Sequence, residues 1–283
     1  MPRDAITQAG YPDAVVRALF DAMTRVAHER APAWLVGLSG LQGSGKSTLA
    51  AQLVELARAR GVAALAMSID DFYHGRDARR RLARTVHPLL ATRGVPGTHD
   101  VGLLRHTLAN LRIANPDRPA CVPRFDKGRD TRLPPSRWRR IAQAPALVVL
   151  EGWCIGVPAQ TPAQLRKPVN ELERREDADA RWRNWINSRL EQEYAPLWHE
   201  FDRLVMLQAP GFEVVTQWRG QQEQALRRRG APHALSAPAL RRFLMHYERL
   251  SRQALKTLPA RADLRVVLDS QRRVERVVVR LPT

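Results

Sequence analysis

The sequence is poor in cysteine, poor in aromatics and without any long apolar run. Its two cysteines, Cys121 and Cys154, cannot build a disulfide framework. Both read as reduced thiols, and Cys154 as a small buried residue. No apolar stretch approaches the roughly 20 residues needed to cross a bilayer, so no membrane partner is expected. The N-terminal MPRDAITQAG lacks the apolar core of a secretory signal. A cytoplasmic location is the expectation. Aromatic residues make up only 6% of the chain, but hydrophobic residues reach 44%, which excludes a disordered polymer. Acidic residues are scarce as well. The 28 Asp and Glu are outnumbered by 46 Lys and Arg, for a net charge of +18. Such a balance attracts nucleotides, phosphorylated metabolites or nucleic acid without choosing among them. The arginines are scattered (Arg79-Arg80-Arg81, Arg139-Arg140, Arg227-Arg228-Arg229, Arg272-Arg273), and no block forms a basic tail. Most of that charge is expected at the solvated surface.

Periodicity supplies the elements. Val15, Val16, Leu19, Phe20, Met23 and Val26 fall at helical spacing, which predicts an amphipathic helix over about 11–30. Short apolar runs predict strands over 34–38, 62–69, 146–150, 203–208 and 264–268, with a further one over 274–280. Helical patterns lie over 48–60, 101–113, 212–229 and 238–256. The stretches 74–100 and 115–135 read as loops, the second holding one short apolar piece, Ala120-Cys121-Val122. Strands separated by helices imply an α/β fold with a mostly parallel five-stranded sheet, covered by helices on both faces. No repeat or linker divides the chain, so one domain over 1–283 is expected.

Gly40 to Ser47, GLQGSGKS, fits G-x-x-x-x-G-K-[ST] without a mismatch. Gly40, Gly43 and Gly45 allow successive backbone N–H groups, with those of Ser44 and Thr48, to turn around phosphates. Lys46 brings a point charge to the outer phosphates, and the Ser47 hydroxyl suits magnesium. The positive end of the following helix adds a fixed field. The motif stands between a predicted strand and a predicted helix, as a phosphate cradle requires. It implies ATP with Mg2+ as cofactors.

Two strand ends carry acids: SIDDFY (Ser68 to Tyr73) and LVVLEGW (Leu147 to Trp153). Ligands of an open parallel sheet gather at the carboxyl ends of its strands. Phosphoryl transfer needs a metal ligand, a proton acceptor for the attacking hydroxyl, and cations on the moving charge. Asp70 suits the proton acceptor. Glu151 suits the magnesium shell with Ser47, and Asp70 is a further candidate there. Asp71 and Tyr73, beside Asp70, are candidate acceptor contacts.

These motifs together resemble the D-glycerate 3-kinase family, which lies in a larger group with uridine kinases, pantothenate kinases and phosphoribulokinases. The resemblance is carried by GLQGSGKST (Gly40 to Thr48), SIDDFY, RGVPGTHD (Arg93 to Asp100), VPRFDK (Val122 to Lys127), EGW (Glu151 to Trp153) and QWRGQQE (Gln217 to Glu223). They run across nearly the whole chain. The resemblance implies a P-loop kinase fold with a helical lid over about 212–232. It implies Asp70 as base, Glu151 at magnesium, and a lid arginine over the phosphates. Arg219 is the first candidate, ahead of Arg227, Arg228 and Arg229. The implied acceptor is D-glycerate, a small hydroxy acid. Its carboxylate would be met by Arg124 or Lys127, and its hydroxyls by Asp100 or Asp126, with His99 nearby. By analogy with other P-loop kinases, 269–273 would contact the adenine. Two features depart from the family pattern. The segment after VPRFDK is short, and the late R-Y-x-P-x-Y pattern is reduced to His246-Tyr247-Glu248-Arg249-Leu250.

Other functional classes fit the sequence less well. Trp182, Trp185, Ile186, Leu190, Tyr194, Leu197 and Trp198 recur at helical spacing between arginines. They read either as a stacking surface for single-stranded nucleic acid or as an amphipathic helix packed on the sheet. Glu171, Glu173, Glu176, Asp177 and Asp179 just ahead of them favour the second, and no nucleic-acid partner is expected. A nucleic-acid-dependent ATPase would need a water-positioning residue that is not recognisable. A catalytically idle nucleotide binder conflicts with intact Lys46, Ser47, Asp70 and Glu151. Kinases of uridine-, pantothenate- or ribulose-phosphate-like acceptors are the alternatives within the class.

Overall fold

The computed structural model describes residues 10–24, 34–228 and 235–280. Val26 and Arg229, both singled out above, lie outside them. A six-stranded sheet forms the centre. Its strands are β1 (Trp34–Gly40), β2 (Ala64–Ser68), β3 (Leu147–Gly152), β4 (Arg203–Gln208), β5 (Leu264–Leu268) and β6 (Val274–Val279). The order across the sheet is β6-β5-β4-β1-β3-β2. The first five are parallel, as expected, and β6 runs antiparallel to β5 at the edge. The turn joining β5 to β6 is short enough for a hairpin, which forces that direction.

The two faces of the sheet bury separate cores. On one face, Val36, Leu38, Val149, Val205 and Leu207 pack against α1 (Asp13–Thr24) and α2 (Lys46–Ala59). On the other, Leu35, Leu65, Val148 and Leu150 pack against α4 (Val101–Arg112), α5 (Arg181–Arg189) and the turns after it. The aromatic stripe belongs to this second core. Trp182, Ile186, Leu190, Tyr194 and Leu197 are all buried. A π-turn at Leu190–Tyr194 inserts one extra residue per turn, so Leu190 and Tyr194 both keep facing the sheet. The long C-terminal helix α7 (Ala237–Thr257) bridges the cores, giving Leu240 and Leu244 to one and Tyr247, Leu250 and Ala254 to the other.

Two segments read as loops contain regular structure. A helix, α3 (Arg76–Thr85), rises from the polar stretch after β2. Its sequence, RDARRRLART, offers almost no apolar face, because the side chain turned inward is Arg79, which is 2% exposed. Within 115–135, Ala120–Val122 pairs with Arg139–Ile141, and Phe125–Asp126 pairs with Thr131–Arg132. These pairs are too short for an alternating pattern to be visible. Cys154 is buried and Cys121 exposed, both as free thiols. No helix among the described residues is long and apolar enough to cross a membrane.

Candidate active site

The site grows from the register of three strands. Glu151 in β3 lies opposite Leu38 of β1 and Ser68 of β2. Two residues beyond Leu38, β1 ends at Gly40 and opens into the phosphate loop. Gly43 and Gly45 take positive φ, +80° and +91°. A Cβ on Gly43 would lie 2.8 Å from Cβ of Trp218, so only glycine fits there. Gly45 caps α2 without any side-chain hydrogen bond, which leaves the first N–H groups of that helix turned toward the loop. The Tyr11 hydroxyl donates to the Ser44 carbonyl at 2.7 Å and ties the loop to the segment before α1. Ser44 Oγ and both polar atoms of the Gln42 amide are buried and have no partner among the described residues. Lys46 Nζ donates to the Leu41 carbonyl at 3.0 Å. Burial pushes its pKa down, against the opposing pull of Glu151 and Asp70. Ser47 Oγ donates to Glu151 Oε1 at 2.7 Å. An uncapped helix start, orphaned polar atoms and a lysine fit a polyphosphate. A hydroxyl beside a carboxylate fits a hard divalent cation.

Asp70 lies across the cavity from this loop. Ser68 Oγ accepts from the Asp70 N–H at 3.3 Å and starts the turn Ile69–Phe72. Asp70 Oδ1 accepts from the Tyr73 hydroxyl at 2.9 Å, and Oδ2 from Lys127 Nζ at 2.6 Å. Burial alone would raise its pKa. The charge and hydrogen bond of Lys127, with His99 and Tyr73, outweigh that and hold the carboxyl well below the usual carboxylate range. Lys127 is raised in turn, first by Asp70.

The other candidate acceptor contacts divide. Tyr73 lines the cavity beside Asp70. His99 is buried, stacks on Tyr73 at 4.5 Å between centroids, and shares a 2.8 Å hydrogen bond through Nδ1 with the Tyr194 hydroxyl. It supports the cavity wall from behind. Asp71 Oδ1 accepts from the Phe125 N–H at 3.1 Å, so it anchors the segment that carries Lys127. Burial raises Asp71 to about 6. Asp100 caps α4 through the Leu103 N–H and pairs with Arg132 at 3.2 Å. Asp126 closes a turn on the N–H groups of Gly128 and Arg129. Arg124 is exposed. None of His99, Asp71, Asp100, Asp126 and Arg124 lines the cavity. Local turn and cap chemistry accounts for most of these acids, and Asp-x-x motifs in loops serve such roles commonly.

The chain is 33% identical over 228 residues to a Schizosaccharomyces pombe protein named uncharacterized kinase mug58, covering 76% of this chain and 78% of that one. It is 30% identical over 239 residues to the chloroplastic D-glycerate 3-kinase of Arabidopsis thaliana, where it spans 49% of that protein. No protein-family model matches. The solved structure of D-glycerate 3-kinase from Cryptococcus neoformans superposes with a TM-score of 0.78 at 24% identity, covering 95% of this chain and all of that one. The fold is that of the P-loop kinases. The chain belongs to one kinase family with the Schizosaccharomyces pombe protein, and D-glycerate 3-kinases are among its relatives. It is a small-molecule kinase.

The remaining walls of this kinase cavity come from the late helices. The cavity holds about 220 Å³ and joins Gln42, Gly43, Lys46 and Ser47 to Asp70, Lys127 and Glu151. Arg219 enters it from α6 (Val214–Arg228), the helix matched to the family lid. Its guanidinium donates to Gln222 and, at 2.6 Å, to Glu223 Oε1. Arg227 and Arg228 are exposed and do not line the cavity. The turn at 269–273 reaches the phosphate loop: Arg272 donates to the Gly43 carbonyl at 3.5 Å, and the Ser270 carbonyl accepts from the Trp218 indole at 2.7 Å. Sequence reasoning passed over Gln42, Arg93 and Phe243 as wall residues, while Tyr247, which also lines the cavity, stood in the late segment whose tyrosines were candidates for the acceptor pocket. Arg93 opened the motif RGVPGTHD and so carried a signal. Gln42 occupied a variable motif position and carried none.

Proposed function

We propose that the chain transfers the γ-phosphoryl group of ATP, with Mg2+, to a hydroxyl of a small carboxylate-bearing acceptor, D-glycerate first. One observation carries this reading: a phosphate loop and an ionised Asp70 face each other across one cavity lined by Lys46, Lys127 and Arg219. Ser47 and Glu151 would hold the magnesium, which when bound neutralises charge on the phosphates. Lys46 and the N–H groups at the start of α2 orient the nucleotide. Arg219 adds positive charge where the phosphoryl group moves. Asp70 orients the acceptor hydroxyl and takes its proton. A low pKa does not disqualify it, because phosphoryl transfer depends on positioning and electrostatics more than on strong base catalysis. Lys127 keeps Asp70 ionised and Tyr73 fixes its orientation.

The test is magnesium-ATP turnover against D-glycerate, L-glycerate, uridine, pantothenate and ribulose 5-phosphate, with products identified by mass. The expected result is a phosphoglycerate from D-glycerate alone. Turnover of an uncharged or phosphorylated acceptor in its place would discard the substrate. Asp70→Asn should lower kcat by about 10²–10⁴-fold, the usual contribution of a positioned base, with ATP affinity retained. Near-normal kcat in that variant would remove Asp70 from the role.

A further inference from the structure

Among the described residues four cations line the cavity, and three of them have work at the phosphate end or at Asp70. Lys46 belongs to the loop, Arg219 to the lid helix, and Lys127 pairs one to one with Asp70. Arg93 is different. Its Nη1 donates to Asp130 Oδ1 at 2.5 Å, but that single carboxylate also takes Arg79 at 2.5 Å and Arg76 at 3.8 Å. Three guanidinium groups share one carboxylate, so this corner of the cavity keeps surplus positive charge. Asp130 cannot neutralise Arg93 as Asp70 neutralises Lys127.

Arg93 is also held rigidly. Its carbonyl accepts from the Tyr247 hydroxyl at 2.9 Å. The next residue, Gly94, has φ +131°, and a Cβ there would fall 2.0 Å from the Tyr247 oxygen. The Gly94 carbonyl accepts from the Trp153 indole at 3.1 Å. The guanidinium lies 5.6 Å from the centre of the Phe125 ring. Behind it, Asp130 adopts a left-handed φ of 54°. Arg79, buried at 2% exposure, donates to the carbonyls of His74 and Ala91 as well as to Asp130. A buried arginine bonded to three separate segments fixes the carboxylate that in turn aims Arg93.

We infer that Arg93 receives the carboxylate of the acceptor, and that Asp130, fixed by buried Arg79, is the positioning residue that aims it. This rests on the proposed hydroxy-acid acceptor. The chemistry separates the ends of such a molecule. The hydroxyl that attacks must reach Asp70, and Asp70 repels the acceptor's own carboxylate. The carboxylate therefore goes to a cation not already committed to Asp70. A planar guanidinium with Nη2 and Nε left by Asp130 offers the two-point contact that a carboxylate accepts best.

The test compares D-glycerate with glycerol, which lacks the carboxylate, in wild type, Arg93→Met, Arg93→Lys and Asp130→Asn. ATP affinity, measured by fluorescence of a labelled nucleotide, checks that each variant folds. Arg93→Met should raise KM for D-glycerate at least about 10-fold more than it raises KM for glycerol, with ATP affinity retained. Arg93→Lys should recover part of the loss. Asp130→Asn should raise KM for D-glycerate more than it lowers kcat. Equal loss on both acceptors, or an unchanged KM for D-glycerate in Arg93→Met, would overturn the inference. If wild type does not phosphorylate D-glycerate at all, the acceptor reading fails first, and Arg93 as its carboxylate site falls with it.

Discussion

At the scale of single residues, burial decides what a polar side chain can do. His99 stands in a motif that suggests substrate contact, yet its ring is buried between Tyr73 and Tyr194. Burial depresses its pKa from 6.5 to about 3, with the nearby Asp70 charge only partly opposing. The folded protein therefore keeps the ring neutral where the unfolded chain protonates it near pH 6.5. Below that pH the unfolded state binds the extra proton, and stability falls steadily as pH drops from about 6.5 toward 3. The stability contributed by the neutral ring is fully present above pH 6.5. NMR of the histidine ring protons should show one resonance that does not titrate between pH 8 and 5. A His99 resonance that moves with a midpoint near 6.5 would refute the buried neutral ring. Asp71 moves the opposite way. Its raised pKa, about 6, means stability lost as pH rises from about 4 to 6, so the two residues oppose each other in that window.

At the scale of elements, the phosphate loop and the lid helix are one mechanical unit. Trp218 of α6 sits on Gly43, its indole donates to Ser270, and Arg272 stacks 5.8 Å from its ring while reaching the Gly43 carbonyl. Gly43→Ala must therefore displace the helix that carries Arg219 as well as strain the loop at φ +80°. The expected outcome is a loss of both nucleotide affinity and kcat, each by about 10-fold or more, since strain at such a backbone position costs on the order of 1–3 kcal/mol. Loss of affinity alone would mean that loop and helix move independently. This coupling was not legible in the sequence, although each partner was. GLQGSGKST and the acids ending β2 and β3 were readable because a parallel sheet gathers its strand ends at one edge. The helix at Arg76–Thr85 was not, because it turns a buried arginine inward where periodicity looks for an apolar residue. Asp100 and Asp126 close a helix cap and a turn away from the cavity wall, which the sequence did not reveal for a related reason. A capping or turn-closing carboxylate has the same sequence appearance as a ligand-binding one.

At the scale of the whole molecule, the surplus of arginine does not all end in solvent. Much of it is surface, as the charge balance suggested, but some arginines hold the second core together. Arg183 pairs with Asp177 at 2.8 Å, and Arg249 with Glu173 at 2.6 Å, all four nearly inaccessible. The acids ahead of the aromatic stripe are thus partners of buried arginines as well as surface charge. Arg249 lies in α7, Glu173 in the short helix Glu171–Glu176, and the guanidinium also donates to the carbonyls of Gln164 and Lys167. This one side chain staples the C-terminal helix, whose Tyr247 secures Arg93 in the cavity, to the segment leading into the stripe. Arg249→Met leaves Glu173 buried without its cation. Breaking a buried pair in that way costs about 3–5 kcal/mol. For a chain of this size each kcal/mol moves Tm by roughly 2–4 °C, so Tm should fall by about 6–20 °C. The paired replacement Arg249→Met with Glu173→Leu removes both charges and should recover most of that loss, because no unpaired charge remains. Calorimetric Tm values of wild type, single and double variants decide it. A double variant as unstable as the single one would mean that the carbonyl hydrogen bonds of Arg249, and not its ion pair, hold the helix in place.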